Sequence, residues 1–444
     1  MSLAASSYMI NGFDPSRAGN LTTGERDLID RRRALLGPSY KLFYEHPVHV
    51  VRGEGVRMYG ADGEAYLDVY NNVPSVGHCH PRVVEAVARQ AATLNTHTRY
   101  MDKAILDYSE DLLSTYPAEI GHVMYTCTGS EAVDLALRIA RYHTGGTGIV
   151  VTQNAYHGLT HAVAEISPSM GPNVPLGAHV RTVLPPDEYR EGPETGRLFA
   201  ARVKEAIADL ERHGFKFAAF IADGILSTDG IQTGPLGFLK QVCDVVQAAG
   251  GVYIADEVQP GFGRTGSHWW GFQRHGLIPD LVVMGKPMGN GMPIAGVAMK
   301  PALVERFGND IRYFNTFGAN SVSIAAAQAV LDVIRDEGLM QNCVDVSNYM
   351  LEGMRSMMGD HPVVGAVRAA GLFLGMEFVT DPSSKTPDGA TSLKVVNNLR
   401  EKRILISASG LTGHVLKIRP PLPFTRGDAD QFLDALSASL REIA

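Results

Sequence analysis

The sequence predicts an α/β fold, with a large domain built on a mostly parallel sheet between helices and a smaller α+β domain drawn from the two ends of the chain. Three observations carry this expectation. Between about residues 120 and 300, continuously apolar runs recur, among them Ile149-Val150-Val151, Ala218-Ala219-Phe220-Ile221-Ala222, Val252-Tyr253-Ile254-Ala255 and Leu281-Val282-Val283-Met284. Strands that are apolar on both faces, with helical segments between them, are what a parallel sheet covered on both sides requires. Outside this block the texture changes, and 444 residues are too many for one small core.

Each element has a local reason. Val56-Arg57-Met58-Tyr59, the turn Gly60-Ala61-Asp62-Gly63 and Ala65-Tyr66-Leu67-Asp68 read as a hairpin. Pro81 opens an amphipathic helix that carries Val83, Val84, Ala86, Val87 and Ala91. Val123-Met124-Tyr125 reads as a strand running into a strongly helical stretch over 132–140. Helix-rich sequence over 323–358, a strand over 371–379, a helix over 392–402 and a closing helix from Asp428 complete the chain. We therefore expect residues 1–75 to form the N-terminal part of the small domain, 76–325 the large domain and 326–444 the C-terminal part of the small domain.

Composition excludes several function classes. Forty Lys and Arg against 47 Asp and Glu give a net charge of −7, without a basic run to bind nucleic acid. No apolar stretch is long enough to span a bilayer, and residues 1–20 lack the basic start and apolar core of an export signal. Cys79, Cys127, Cys243 and Cys343 form no CxxC pair, so a reducing cytoplasm is expected and no metal site. His78-Cys79-His80 has no second ligand cluster at metal spacing and reads as packing.

Three segments carry chemistry. The strand over 252–255 ends in Asp256-Glu257, placing carboxylates at the strand end where ligands sit in open α/β sheets. Leu281-Val282-Val283-Met284-Gly285-Lys286 runs an apolar strand into a lysine, and burial there would depress its pKa and make it a nucleophilic amine. Thr126-Cys127-Thr128-Gly129-Ser130 precedes a helix, so the backbone N–H groups of Gly129 and Ser130 form a phosphate cup. Each has a bland alternative: a solvated strand end, a snorkelling lysine, a helix simply capped by Ser130. Together they match a phosphate, a protonated ring nitrogen and an aldehyde. Gly261-Phe262-Gly263-Arg264-Thr265-Gly266 matches GxGxxG, but the sequence after it lacks the apolar helix a dinucleotide site needs.

On these residues the chain resembles class III aminotransferases of fold type I, pyridoxal 5'-phosphate (PLP) enzymes with a seven-stranded sheet. The signature covers 253–291, through Asp256-Glu257-Val258, Gly261-Phe262-Gly263-Arg264 and Gly285-Lys286. Further matches are Tyr156-His157-Gly158, Asn315-Thr316-Phe317-Gly318 and Arg419-Pro420-Pro421-Leu422. The resemblance implies that Lys286 holds the cofactor as a Schiff base and that Asp256 pairs with the pyridinium nitrogen. It implies that Val258 packs under the ring, Tyr156 lies on its other face with His157 beside it, and Gln259 approaches the phenolic oxygen. Gly129 and Ser130 would hold the phosphate with Thr316 of a neighbouring subunit, which implies a homodimer with shared active sites, or a tetramer built from it.

The same resemblance assigns Arg419 to the substrate's carboxylate or phosphate. Asp223 stands where relatives that use glutamate carry a longer carboxylate as a movable partner for that arginine. Met284 to Gly291 and the tract Val415-Leu416-Lys417-Ile418-Arg419 are similar to the branch of alanine–glyoxylate aminotransferase 2-like proteins and amino-alcohol phosphate phospho-lyases. Two reactions are therefore expected: amino transfer from an ω-amino acid or amine to a keto acid, or, as the alternative, elimination of phosphate and ammonia from a phosphorylated amino alcohol.

Overall fold

The computed structural model describes residues 9–16 and 21–443; much of the export-signal reading of residues 1–20 therefore lies outside the described residues. Its centre is a seven-stranded sheet in the order His122–Thr126, Ala295–Met299, Leu281–Met284, Val252–Asp256, Phe217–Asp223, Gly148–Thr152, Val180–Val183. Only Ala295–Met299 runs antiparallel, against both of its neighbours, so the sheet is mostly parallel as expected. Val180–Val183 and Ala295–Met299 were not foreseen: the first, Val-Arg-Thr-Val at an edge, is apolar only at its two ends, and the second is too rich in Ala and Gly to stand out.

Side chains alternate across this sheet and build two cores. Ile149, Val151, Ala219, Ile221, Ile254 and Val283 join one, packed on the helix Gly129–Thr144. Val150, Phe220, Tyr253, Val282 and Met284 join the other, with the helices Thr195–Arg212, Phe238–Ala248 and Ser321–Asp336. Covering both faces is the reason the strands are continuously apolar. Truncating a buried Leu or Ile here to Ala would cost ~2–5 kcal/mol.

The ends of the chain pack together. The hairpin reading of residues 50–70 becomes a three-strand meander, Val50–Glu54, Arg57–Gly60 and Ala65–Asp68, extended by Ile404–Leu405 from the far end of the chain. A second four-stranded sheet joins Val364–Ala369, Leu374–Phe378, Val415–Ile418 and Ser407–Ser409. The helical stretch over 323–358 is two helices, Ser321–Asp336 and Leu339–Met358, broken at Gly338 with φ of 62°. Among the described residues no helix is long and apolar enough to cross a membrane.

Candidate active site

Four strands deliver side chains to one edge of the large sheet. Asp223 and Asp256 end neighbouring parallel strands and are register partners. Lys286 follows the next strand, whose Val283 pairs with Asp256. Because Ala295–Met299 is reversed against both neighbours, His122–Thr126 also points its carboxyl end to this edge and brings Gly129 there.

A cavity of about 120 Å³ lies at this edge, lined by Gly129, Ser130, Tyr156, His157, Gly158, Asp223, Asp256, Val258, Gln259 and Lys286. Every cofactor residue expected from the sequence is on this wall except Thr316, which is exposed in this chain. Four larger hollows, of about 710, 560, 410 and 400 Å³, open at the surface, the first lined by pairs such as Arg89 and Glu85, and none contains a lysine beside paired buried carboxylates.

Asp256 is buried and fixed from two sides: His157 Nδ1 lies 2.7 Å from one carboxylate oxygen, and the Val258 N–H donates to the other at 3.1 Å. His157 is itself placed by its backbone N–H donating to Ser167 Oγ at 3.1 Å, and its Nε2 is buried without a partner. Lys286 lines the cavity and is exposed there rather than sealed in the core, although its backbone sits deep between strands. Burial, and then the Arg419 guanidinium, hold its ammonium down to about 8 from 10.5, with Asp256 and Asp223 pulling upward.

The bland alternative, a helix capped by Ser130, does not hold. Thr128, not Ser130, is the N-cap: its side chain accepts from the Glu131 N–H, and the Glu131 carboxylate accepts from the Thr128 N–H at 3.0 Å. This capping box leaves Ser130 Oγ free to accept from the Leu159 N–H at 3.1 Å, tying the helix start to the loop after Tyr156. Glycines make the cup possible. A Cβ on Gly158, with φ of 142°, would lie 2.5 Å from Ser130 Oγ, and one on Gly129 would lie 3.2 Å from Val258. A Cβ on Gly285 would meet the Gly129 backbone at 3.5 Å, so the lysine-bearing strand passes directly under the helix start.

Asp223 does not contact Arg419. Its carboxylate accepts from the Ile225 N–H at 2.9 Å, the Ser227 N–H at 2.8 Å and the Ser227 hydroxyl at 2.7 Å. The Arg419 guanidinium instead donates to Gln259 Oε1, and Gln259 Nε2 donates to Ser227 Oγ at 2.7 Å. A chain Arg419, Gln259, Ser227, Asp223 therefore runs along the cavity, which Gln259 and Asp223 line. Burial raises the Asp223 carboxyl, with neighbouring Asp256 adding to the rise, and burial lowers the Arg419 guanidinium. Gln259 is thus engaged by Arg419, which its expected role at a cofactor oxygen did not include.

Ser227, Gly158 and Lys417 were not singled out from the sequence. Ser227 looks like an ordinary turn residue. Lys417 had a readable signal: it lies two residues before Arg419 in an apolar strand, and period two puts both on one face.

The fold and this edge define a PLP enzyme of fold type I: a lysine at the floor, a carboxylate fixed against its neighbour, and a Cβ-free cradle at a helix start fit the cofactor's aldehyde, ring nitrogen and phosphate. The chain belongs to the class III aminotransferases, whose family model, aminotransferase class-III, matches residues 42–440. It is 38% identical to a Drosophila melanogaster protein named alanine–glyoxylate aminotransferase 2-like, over 95% of this chain and 90% of that one. It is 34% identical to a Caenorhabditis elegans protein named ethanolamine-phosphate phospho-lyase homolog 1, over 94% and 93% of the two chains. Among solved structures, a phospholyase from Arthrobacter in complex with phosphoethanolamine superposes with a TM-score of 0.91 at 42% identity, covering 94% of this chain and all of that one.

Proposed function

We propose that the protein is a PLP-dependent phospho-lyase that eliminates phosphate and ammonia from a small phosphorylated amino alcohol of the phosphoethanolamine type. The observation that carries this reading is the hydrogen-bond chain from Arg419 to Asp223. An aminotransferase that alternates between an ω-amino donor and a dicarboxylate acceptor must show its arginine to one substrate and mask it from the other. Here the Asp223 carboxylate is engaged by its own turn, and Arg419 is held by the neutral Gln259. An arginine with no carboxylate to mask it suits one anionic substrate and no alternating acceptor. The name and bound ligand of the Arthrobacter relative support the same reading.

When bound, the cofactor would supply an electron sink for the substrate carbon next to the amine. Lys286 would remove the proton from that carbon, a task suited to an amine held at about 8. Asp256, oriented by His157, would keep the ring nitrogen protonated. Val258 and Tyr156 would flank the ring, Gly129 and Ser130 would cradle its phosphate, and Thr316 would reach in from a second subunit of a homodimer. The C–O bond to the substrate phosphate then breaks, and the oxygen leaves with the electron pair. Phosphoethanolamine plus one water gives acetaldehyde, ammonia and phosphate, with no oxidant, reductant or keto acid. The free thiols of all four cysteines support a cytoplasmic site of action.

Amino transfer from an ω-amino acid or amine to a keto acid is the second reading, because Lys286 and Asp256 serve both reactions and the family carries that name. Purified holoenzyme mixed with phosphorylated amines and no keto acid decides between them. Sustained release of phosphate and ammonia in equal amounts is expected. A single turnover that leaves the cofactor in its pyridoxamine form, without phosphate release, would overturn the phospho-lyase reading.

A further inference from the structure

A second lysine, Lys417, is buried near this site, close enough to feel the charges of Arg419, Lys286 and Asp223. The strand Val415–Ile418 turns Leu416 and Ile418 into the main core and Val415 to a small apolar cluster with Phe373, Ile225 and Ile231. Lys417 shares the face of Val415, and Arg419 continues it. Lys417 is 7% exposed and Arg419 5%. Both cations lie against one ring: Lys417 Nζ is 5.7 Å and Arg419 Cζ 5.9 Å from the Phe373 centroid.

Neither has an ion-pair partner among the described residues. Among the described residues the Lys417 ammonium makes no hydrogen bond or ion pair, and Arg419 Nε is buried without a partner. The nearby carboxylate, Asp223, is engaged by Ile225 and Ser227. Burial first, and then Arg419 and Lys286, push the Lys417 amine far below its ordinary value, with Asp223 opposing. The bland reading is a lysine kept neutral to fill space. Yet a methionine would fill the same space without desolvating an amine, and placing two like charges on one buried ring destabilises the fold unless an anion joins them.

We infer that Lys417 and Arg419 together form the receptor for the substrate's phosphate group, Lys417 supplying the second positive charge that separates a phosphate dianion from a carboxylate. This rests on the phospho-lyase reading and deepens it. A carboxylate carries one charge and can be matched by Arg419 alone, whereas a phosphate monoester carries nearly two at neutral pH.

The test uses holoenzyme, whose cofactor fills the Gly129 cup, titrated by calorimetry with inorganic phosphate, phosphoethanolamine and β-alanine. Lys417→Met should weaken inorganic phosphate and phosphoethanolamine by ~10–100-fold, the worth of one charge-assisted hydrogen bond. It should weaken β-alanine by less than ~3-fold, and Lys417→Arg should recover most of the loss. Unchanged phosphate affinity, or an equal loss for β-alanine, overturns the receptor. Lys417→Gln gives the same comparison if the Met variant does not fold with its cofactor. Should no phosphorylated amine release phosphate while phosphate binding still depends on Lys417, the phospho-lyase reading falls and the receptor stands. Should phosphate release proceed while Lys417→Met binds phosphate as the parent does, the receptor falls and the phospho-lyase reading stands.

Discussion

Neutralising the charges around Lys286 should move its titration in opposite directions, depending on which charge is removed. The amine is held at about 8 by burial first and Arg419 second, against the upward pull of Asp256 and Asp223. At pH 7.5 an amine at 8 is about one quarter neutral and one at 10.5 about one part in a thousand, a gain of ~240-fold in the form that attacks an aldehyde. Apoprotein mixed with PLP in a stopped-flow spectrometer should form its borohydride-sensitive visible band at a rate that rises with pH and levels off above about 8. Arg419→Gln should move that midpoint up, and Asp256→Asn should move it down. The titrations of free PLP are common to all three proteins and cancel in the comparison. A parent midpoint near 10.5, or two substitutions that move it the same way, would refute the reasoning, and Lys286→Ala should form no such band.

Gly158→Ala should strain a backbone at φ of 142° and drive a methyl into Ser130; at ~1–3 kcal/mol of strain the PLP dissociation constant rises by ~10-fold or more, read by cofactor retention on dialysis. Ser227→Ala leaves Gln259 Nε2 unpaired and removes one donor from the Asp223 carboxylate, which keeps the residue-227 backbone N–H, so the protein should lose ~1–3 kcal/mol in denaturant titration and KM for the anionic substrate should rise more than kcat falls. Glu257 is buried, accepts from the Gly271 and Phe272 N–H groups, and is pushed up to about 8 from 4.5 mainly by burial. A carboxyl raised on folding stabilises fully below its unfolded value and loses that contribution as pH rises through 8. Melting temperature should therefore fall between pH 5 and 8 in the parent and fall less in Glu257→Gln; equal slopes would show that Glu257 does not titrate in this window.

Much of the fold was legible because burial on both faces writes itself into a strand as an unbroken apolar run. Leu281–Met284 and Val252–Asp256 could be read this way, and so could the helix after Gly129, from its dense apolar pattern. Ala295–Met299 could not, since small residues at close strand contacts carry little apolar signal. The alternative of a Ser130 cap could not be dismissed from sequence, because Thr128 and Ser130 are equally good caps by residue type, and only the reach of Glu131 back to Thr128 selects one. Within the site, Lys286, Asp256 and the Gly129 turn were visible because each puts a polar or small residue immediately after an apolar strand.

By itself the sequence determined the cofactor chemistry: a lysine, a carboxylate and a glycine cup at strand ends are local features, and local features survive without coordinates. Tertiary structure decided what the cation side of the cavity does. Asp223 and Arg419 are far apart in the chain, and whether they pair, or are held apart by Gln259 and Ser227, depends on how the strand Val415–Ile418 of the small sheet meets the end of Phe217–Asp223. Lys417 owes its meaning to the same meeting: in the chain it is one lysine among many, and only burial beside Arg419 without an ion-pair partner among the described residues sets it apart.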